Sequence, residues 1–515
     1  MLIELQGGIT MTITKKVINI INFVRATCLT DKNRDLILPV KEEIKLNKQY
    51  GFKNTFLLQY DAIISKDYQE IFLSEIDDNM ELGLWFECVR PLVEAAGLKW
   101  RGKEDLIWDW HVKPGFLLAY TNKEKKLLID EAIRKFNDVF GFAPASVGSW
   151  MLDSWSINYM KEEYNIKAFA ICREQYGVDA YTLWGGYYNQ GYYPSKYNVL
   201  CPGQSEENTI KAPVFRMLGA DPIYCYDEHE FDTGITQGCA TMEPVWEYGS
   251  SEKIVKGYFD SYYKEECMDF AYATVGQENS FGWDRIDKGL NLQYKLIDKM
   301  NKNGEVVLET LSETGEWFKN TFEKNPTVSL ISREDWADNG IKSVWFSCPN
   351  YRANLLLHGN QLYFRDINKF EEMYKDRYFS QPCDTWNAIY DNLPIVDSRL
   401  WSDESLKSGL KLDANVKGLT TERLYDKLIC TAESEEGDII ITFSTDAIFI
   451  KKPSAVKIWF ERAKEFDTKL EVDENTLRLE HNKYAYSVKF NVPITETEKG
   501  YMIEGEETEI IIFFT

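Results

Sequence analysis

The stretch LNKQYGFKNTFLLQYDAI (46–63) holds two structural grammars side by side. Its first half finishes an amphipathic run, KEEIKLNKQYGF (41–52), with a glycine at position 51, the residue that most readily takes the left-handed turn ending a helix. Its second half, NTFLLQYDAI (54–63), is a short apolar run of strand type. Helix, tight joint and strand follow one another within one stretch, and the same unit recurs on both sides. VINIINFVR (17–25) reads as a buried strand before it, and ELGLWFE (81–87) as the next strand after it. LLIDEAIRKFNDVFG (127–141) and RIDKGLNLQYKLIDKMNKNG (285–304) have helical spacing and end in glycine. PASVGSW (144–150), IKAFAICRE (166–174), DPIYCYD (221–227), DFAYATVGQE (269–278) and EVVLETL (305–311) read as strands. Such alternation, sustained over about 300 residues, predicts a parallel sheet with helices packed on it. Closed into a barrel, that sheet would carry its functional residues at the C-terminal strand ends.

The grammar changes near residue 330. SVWFSCPNYRANLLLHGNQLYFRDI, DIIITFSTDAIFIKK, TLRLEHNKYAYSVKFNV and TEIIIFFT alternate in and out and are joined by polar turns such as HGNQ and HNK. Only KFEEMYKDRYF (369–379) reads as a helical stretch there. The chain thus divides into a β/α barrel over 12–330 and a β-sandwich-like domain, with antiparallel strands, over 331–515.

Composition narrows the function. With 82 acidic against 59 basic residues and a formal net charge of −23, the chain is poorly suited to a phosphate backbone or an anionic membrane surface. A neutral glycan is compatible with that charge, and 15 Trp and 30 Tyr supply ring faces for one. The ten cysteines are scattered without a CxxC pair, the pattern of reduced thiols rather than of a disulfide framework. No apolar run approaches the roughly 18 residues of a membrane helix. MLIELQGGITMTITKK contains no signal-type apolar core, and Met11 offers a second start; a cytoplasmic location is expected.

Polar residues stand after several apolar strand runs: Arg25, Glu87, Asp153, Asp227 and Glu278. These five are expected to line one cleft. In VGSWMLDSW (147–155), Asp153 lies between Trp150 and Trp155. It could be the N-cap of the helix beginning there, or a carboxylate working on a sugar held by the Trp faces. YGVDAYTLWGGYYNQGYYPSKYN (176–198) is expected to be a substrate-facing loop, with Asp179 and Trp184 as contacts; the alternative is an aromatic plug between the two domains. Arg216 and Asp227 belong to an acidic stretch, 212–232, and TMEPVWEYG (241–249) sets Glu243 and Glu247 beside Trp246, in a binding loop or a surface turn. Phe281 and Trp283 flank Glu278 and would desolvate it, as a general acid requires. Arg25 and Glu87 could form a buried ion pair at the barrel mouth.

The run 46–63 resembles the second strand region of the polysaccharide deacetylase and glycoside hydrolase superfamily, where a helix ending in a similar "kyg" leads into a "TF" strand. The resemblance implies an irregular seven-stranded parallel β/α barrel, and in glycoside hydrolase families 57 and 38 a trailing β domain. The deacetylase branch implies an Asp pair after the first strand and a His-x-x-x-His pair for a divalent metal. Here the first strand ends INFVRATC, and the four histidines (111, 229, 358, 481) lack that spacing, so no metal or other cofactor is expected. The family 57 branch implies a nucleophile in Gly-x-Trp-x-Pro-Glu, to which Gly148-Ser149-Trp150-Met151-Leu152-Asp153 is similar, with Leu for Pro and Asp for Glu. TVGQENSFGWD (274–284) is similar to the acid/base motif, with Gly276 at its Asp position and Glu278 as the remaining carboxylate. His-x-His of that family is replaced by Asn22-Phe23-Val24-Arg25.

The expected activity is therefore that of a retaining glycoside hydrolase or transglycosylase acting on a carbohydrate, with Asp153 as nucleophile and Glu278 as acid/base. Arg25, Glu87, Trp150, Asp179, Trp184, Arg216, Asp227 and Trp283 would bind substrate. The alternatives are a non-catalytic carbohydrate-binding protein on the same barrel, and a metal-dependent hydrolase using Asp109, His111, Asp227 or His229.

Overall fold

The computed structural model describes residues 2–5, 9–12, 14–178, 181–226, 240–390, 392–463, 468–498, 500–505 and 508–514. Seven strands run parallel: β1 (Lys15–Val24), β2 (Asn54–Leu58), β3 (Met80–Trp85), β4 (Ser146–Ser149), β5 (Ala168–Cys172), β6 (Val214–Met217) and β7 (Phe270–Val275). With the two-residue strand Gly191–Tyr192, antiparallel to β6, they form an eight-strand path ordered Gly191–Tyr192, β6, β5, β4, β3, β2, β1, β7. A further short strand, β8 (Val307–Glu309), pairs with the first half of β1. The result is a mixed α/β fold with a nearly closed, barrel-like sheet. The open seam between β7 and β6 is bridged by side chains. Gln190 acts there as a substitute strand: its amide donates to the Tyr272 carbonyl (3.1 Å) and accepts from the Tyr272 N–H (3.0 Å). Thr274 Oγ1 accepts from the Leu218 N–H nearby (2.8 Å).

The local sequence accounts for these elements. β2 is buried throughout, as a strand covered on both faces must be. Helix α1 (Ile37–Tyr50) ends at Gly51, whose φ of 66° is left-handed as the sequence predicts. β2 stops at Leu58 rather than continuing to Ile63, because a helical turn (Tyr60–Ile64) begins beyond Gln59. The helix α2 (Asn122–Phe140) opens on a full capping box between Thr121 and Glu124. α3 (Ser154–Tyr164) follows β4, and α4 (Trp283–Lys302) follows β7.

Three expectations are corrected. DPIYCYD (221–227) supplies no strand among its described residues, where Tyr224–Tyr226 form a 3-10 turn; the strand is VFRM (214–217). Asp221 turns the chain there, its Oδ1 accepting from the N–H groups of Ile223 (2.6 Å) and Tyr224 (2.9 Å). KFEEMYKDRYF is not helical: Glu372 is committed to another loop, accepting from the N–H groups of Gln204 (2.7 Å) and Ser205 (2.8 Å) and from Asn208 Nδ2 (3.0 Å). The Tyr-rich stretch divides: Tyr181 lines the cleft at the barrel mouth, while the segment from Tyr187 to Tyr193 is the plug. Tyr187, Tyr188, Tyr192 and Tyr193 are buried, and each hydroxyl donates to a backbone carbonyl, of Pro326, Asp221, Val199 and Phe322 respectively. Tyr188 lies flat on Trp345 of the following antiparallel sheet, with centroids 3.7 Å apart.

Beyond Thr321 the described residues form strands and turns without a helix. A nine-stranded antiparallel sheet beginning at Val328–Ser332 and an eight-stranded one, Val416 to Phe513, share one core; Leu355, Phe364 and Ile458 of the first pack with Leu428, Ile441 and Ile512 of the second. The nine cysteines among the described residues are free and buried. No helix among the described residues is long and apolar enough to cross a membrane.

Candidate functional site

A cleft of about 480 Å³ opens at the C-terminal ends of the barrel strands. Its floor is set by Arg25, the first residue past β1. The backbone of Arg25 is clamped by Asn279, whose Oδ1 accepts from the Arg25 N–H (2.9 Å) and whose Nδ2 donates to the Arg25 carbonyl (2.9 Å). Tyr68 Oη donates to the same carbonyl (3.0 Å). Held this way, the guanidinium forks onto Glu87 past the end of β3, Nε to Oε2 at 3.1 Å and Nη2 to Oε1 at 3.0 Å. Its third nitrogen, Nη1, bonds Glu278 Oε2. The guanidinium lies 4.5 Å over the Trp108 ring. Bidentate geometry on one carboxylate and a single bond to the other make Arg25 a fixed bridge.

Glu87 is the rear partner. It also accepts from Trp85 Nε1 (2.9 Å) and from Gln59, and it is not among the cleft-lining residues. Glu278 is the front partner, lining the cleft with its other oxygen on Ser280. Arg25 and Ser280 hold its carboxyl group, Phe281 lines the cleft with it, and half-buried Trp283, the first residue of α4, packs against the core beside the barrel without lining the cleft. Gly276 precedes it with φ at 122°, and a Cβ there would stand 2.1 Å from the Ile21 carbonyl oxygen. Nothing larger than glycine fits, so the similar family motif cannot place its Asp here; the crossing turns Glu278 toward Phe23 and Arg25 instead.

A second carboxylate lines the cleft. Glu243 accepts from Thr241 Oγ1 (2.9 Å), Arg173 Nη2 (3.3 Å) and Gln277 Nε2 (3.2 Å), and is 3% exposed. Ring faces of Trp108, Trp110, Trp150, Phe116, Tyr181 and Phe281 line the remainder, with Arg34 and Arg285 at the edge. Trp110 is 41% exposed and so offers an open face. Trp150 is braced edge-on against Trp85 (5.3 Å) and Phe23 (5.6 Å).

Of the sequence-predicted residues, Arg25, Trp150 and Glu278 meet in this cleft, and Glu87 supports it from behind. Asp153 does not join them. It caps α3, accepting from the Ser156 N–H (3.1 Å) and Oγ (2.7 Å), and it pairs with Lys125 Nζ at 2.8 Å. The geometry is therefore that of the helix start. Arg216 is buried behind the cleft, its side chain on the carbonyls of Cys172 (2.8 Å) and Gly185 (2.6 Å). Trp184 is buried under Arg399 (5.2 Å) toward the β-rich part. Asp179, Asp227 and His229 lie outside the described residues. Arg173 directly follows the buried run AFAIC and carries the same strand-end signal as Arg25, which would have found it. Asn279 and Gln277 gave no such signal.

Asp109 and His111 pair at 2.5 Å beside Trp110 without either one lining the cleft. Among the described residues, no three of His, Cys, Asp and Glu gather as metal ligands. Where the deacetylase resemblance implies an acidic pair, at the end of the first strand, stands the cation of Arg25, so the donors at that strand end do not fit a divalent metal.

The structure is similar to a candidate glycoside hydrolase/deacetylase from Parabacteroides distasonis at 15% identity, covering 73% of this chain and 90% of that one with a TM-score of 0.50. Weaker likenesses are to a candidate polysaccharide deacetylase from Mycobacterium smegmatis (10% identity, 61% and 93% covered, TM-score 0.36) and a family 57 branching enzyme from Thermococcus kodakaraensis (10%, 60% and 72%, TM-score 0.33). No curated protein matches the chain. Residues 40–337 match the family described as "Domain of Unknown Function with solved-structure structure (DUF3863)", and the chain belongs to that family.

Proposed function

We propose that this protein is a carbohydrate-active hydrolase of the glycoside hydrolase/deacetylase superfamily, working at the barrel mouth with Glu278 and Glu243 as its carboxylate pair. The observation that carries this reading is that the two carboxylates lining the cleft are each fixed by an arginine, Glu278 by Arg25 and Glu243 by Arg173, between aromatic faces. Cleavage of a glycosidic bond needs two carboxyl groups flanking it, one for the leaving oxygen and one for the anomeric carbon or its water. Trp110 and Trp150 would supply flat faces for the sugar rings. Fixed carboxylates need no reorganisation as charge develops on the sugar, which is where such a site gains its rate. This moves the nucleophile away from Asp153, whose oxygens are committed to Ser156 and Lys125.

Retention, the outcome expected from the sequence, requires carboxyl groups about 5–5.5 Å apart, against roughly 6.5–9.5 Å for inversion. NMR of the first-formed anomer reads which one operates. The founding test is a panel of aryl glycosides and α-glucans, followed by sugar release, beside acetylated xylan followed by acetate release. Sugar release is the expected result. Acetate release alone would give the deacetylase reading, and saturable binding without any release the non-catalytic one.

A further inference from the structure

A second, larger depression of about 1170 Å³ lies on the antiparallel part of the molecule. Strand alternation decides what it shows. Along Lys457–Glu461, Ile458 and Phe460 are buried in the core, so Lys457, Trp459 and Glu461 face outward. Register sets Lys411 opposite Trp459 on one side and Met502 on the other, with Glu504 opposite Lys457. Trp459 is the one aromatic ring among the described lining residues, half-buried, with the Lys457 ammonium 4.9 Å from its centroid.

Charge narrows what could sit there. Every lysine of the described lining is already paired: Lys411 with Glu461, Lys452 with Glu436 and Lys457 with Glu504 (3.3 Å). Asp413 and Glu498 line the same depression as well, so carboxylates outnumber cations. A polyanion would be repelled, and an apolar peptide would find a single ring where a protein interface needs a clustered apolar centre. A neutral polyhydroxylated ligand matches both features. The C–H face of a pyranose packs on an indole, and its hydroxyls form charge-assisted hydrogen bonds with the surrounding ion pairs.

We propose that this depression is a second carbohydrate-binding site, taking a neutral oligosaccharide on the face of Trp459. The site is independent of the chemistry at the barrel mouth, because no residue is shared between the two linings. It would hold a polymer near the enzyme while the cleft acts on it.

The test is affinity electrophoresis of the full chain through gels containing soluble starch, xylan, galactomannan or polygalacturonate. At least one neutral polysaccharide should retard the wild type. Trp459→Ala should weaken that binding about tenfold or more, the loss of one ring-stacking contact, while Glu278→Gln leaves it unchanged. Trp459→Tyr keeps a ring and should keep the retardation, so the test survives if the alanine variant fails to fold. Three results overturn the proposal: no retardation by any neutral polysaccharide, retardation by polygalacturonate alone, or retardation that Trp110→Ala abolishes and Trp459→Ala does not.

Discussion

Arg25 decides the site, since one side chain ties the ends of three strands together through Glu87 behind it and Glu278 in front. On a substrate that the panel identifies, Glu243→Gln should lower kcat by about a hundredfold or more. It should also lower the melting temperature, because buried Arg173 loses the charge of Glu243; kcat is therefore read at a temperature where both proteins are folded. Asp153→Asn should leave kcat intact. Asparagine can still cap α3, but buried Lys125 loses its counter-charge, at a cost of about 3 kcal/mol, read as a lower urea midpoint with turnover retained. Asp61, buried near Arg25, carries a pH signature. Burial pushes its carboxyl group up to about 6, partly offset by nearby backbone groups and by Arg25. The folded state therefore binds the extra proton, so stability present below about pH 4 is lost as pH rises to about 6. Asp61→Asn should remove a decline of about 3 kcal/mol over that window, measured as the difference between variant and wild-type unfolding curves. At this scale the strand-end signal points to Arg25, directly after its apolar run, and to Glu278, separated from its own run by Gly276 and Gln277; both line the cleft. It misplaced Asp153, because a cap and a catalytic acid look alike when both stand between a strand and a helix.

The elements that sequence periodicity marks best are those buried on both faces or capped by glycine, as β2 and α1 show. Strand β6 was missed because VFRM is only four residues long and sits beside a longer apolar run, DPIYCYD, that Asp221 folds into a turn. The helical spacing of 369–379 was overridden by tertiary contacts, with Glu372 used as a cap for residues 204–208. α1 itself carries an anomaly. Glu43 is fully buried with neither carboxyl oxygen bonded, and burial pushes its pKa well above the ordinary carboxylate range. Replacing it with methionine removes an unsatisfied polar group and should stabilise the protein by about 1–3 kcal/mol at pH 7. A carboxyl group whose folded-state pKa is raised loses stability as pH rises from about 4.5 through the folded value, so the gain from Glu43→Met should be smaller at pH 4 than at pH 7. Urea unfolding at pH 4 and pH 7 reads both.

Across the whole molecule, the barrel and the antiparallel part are joined by charges that neither could bury alone. Arg352, on the strand Tyr351–His358, reaches Glu174 just past β5 and forks onto Asp366 at 3.1 and 3.0 Å, all three fully buried. Arg352→Met would take this positive charge from both carboxylates, leaving Glu174 with Arg216 at 3.7 Å, and should cost about 3–5 kcal/mol, seen as a lower melting temperature. Sequence alternation gives no sign of this junction, because long-range pairing of buried charges leaves no local pattern. The same holds for the Tyr-rich plug, whose hydroxyl partners lie up to 139 residues away. Single-turnover sugar release by Glu278→Gln against wild type, on whichever glycoside the wild type cleaves, measures directly whether this carboxylate carries the chemistry. Turnover is expected to fall about a thousandfold with the melting curve unchanged, because Arg25 keeps its bidentate pair with Glu87. Equal rates in the two proteins would contradict this role.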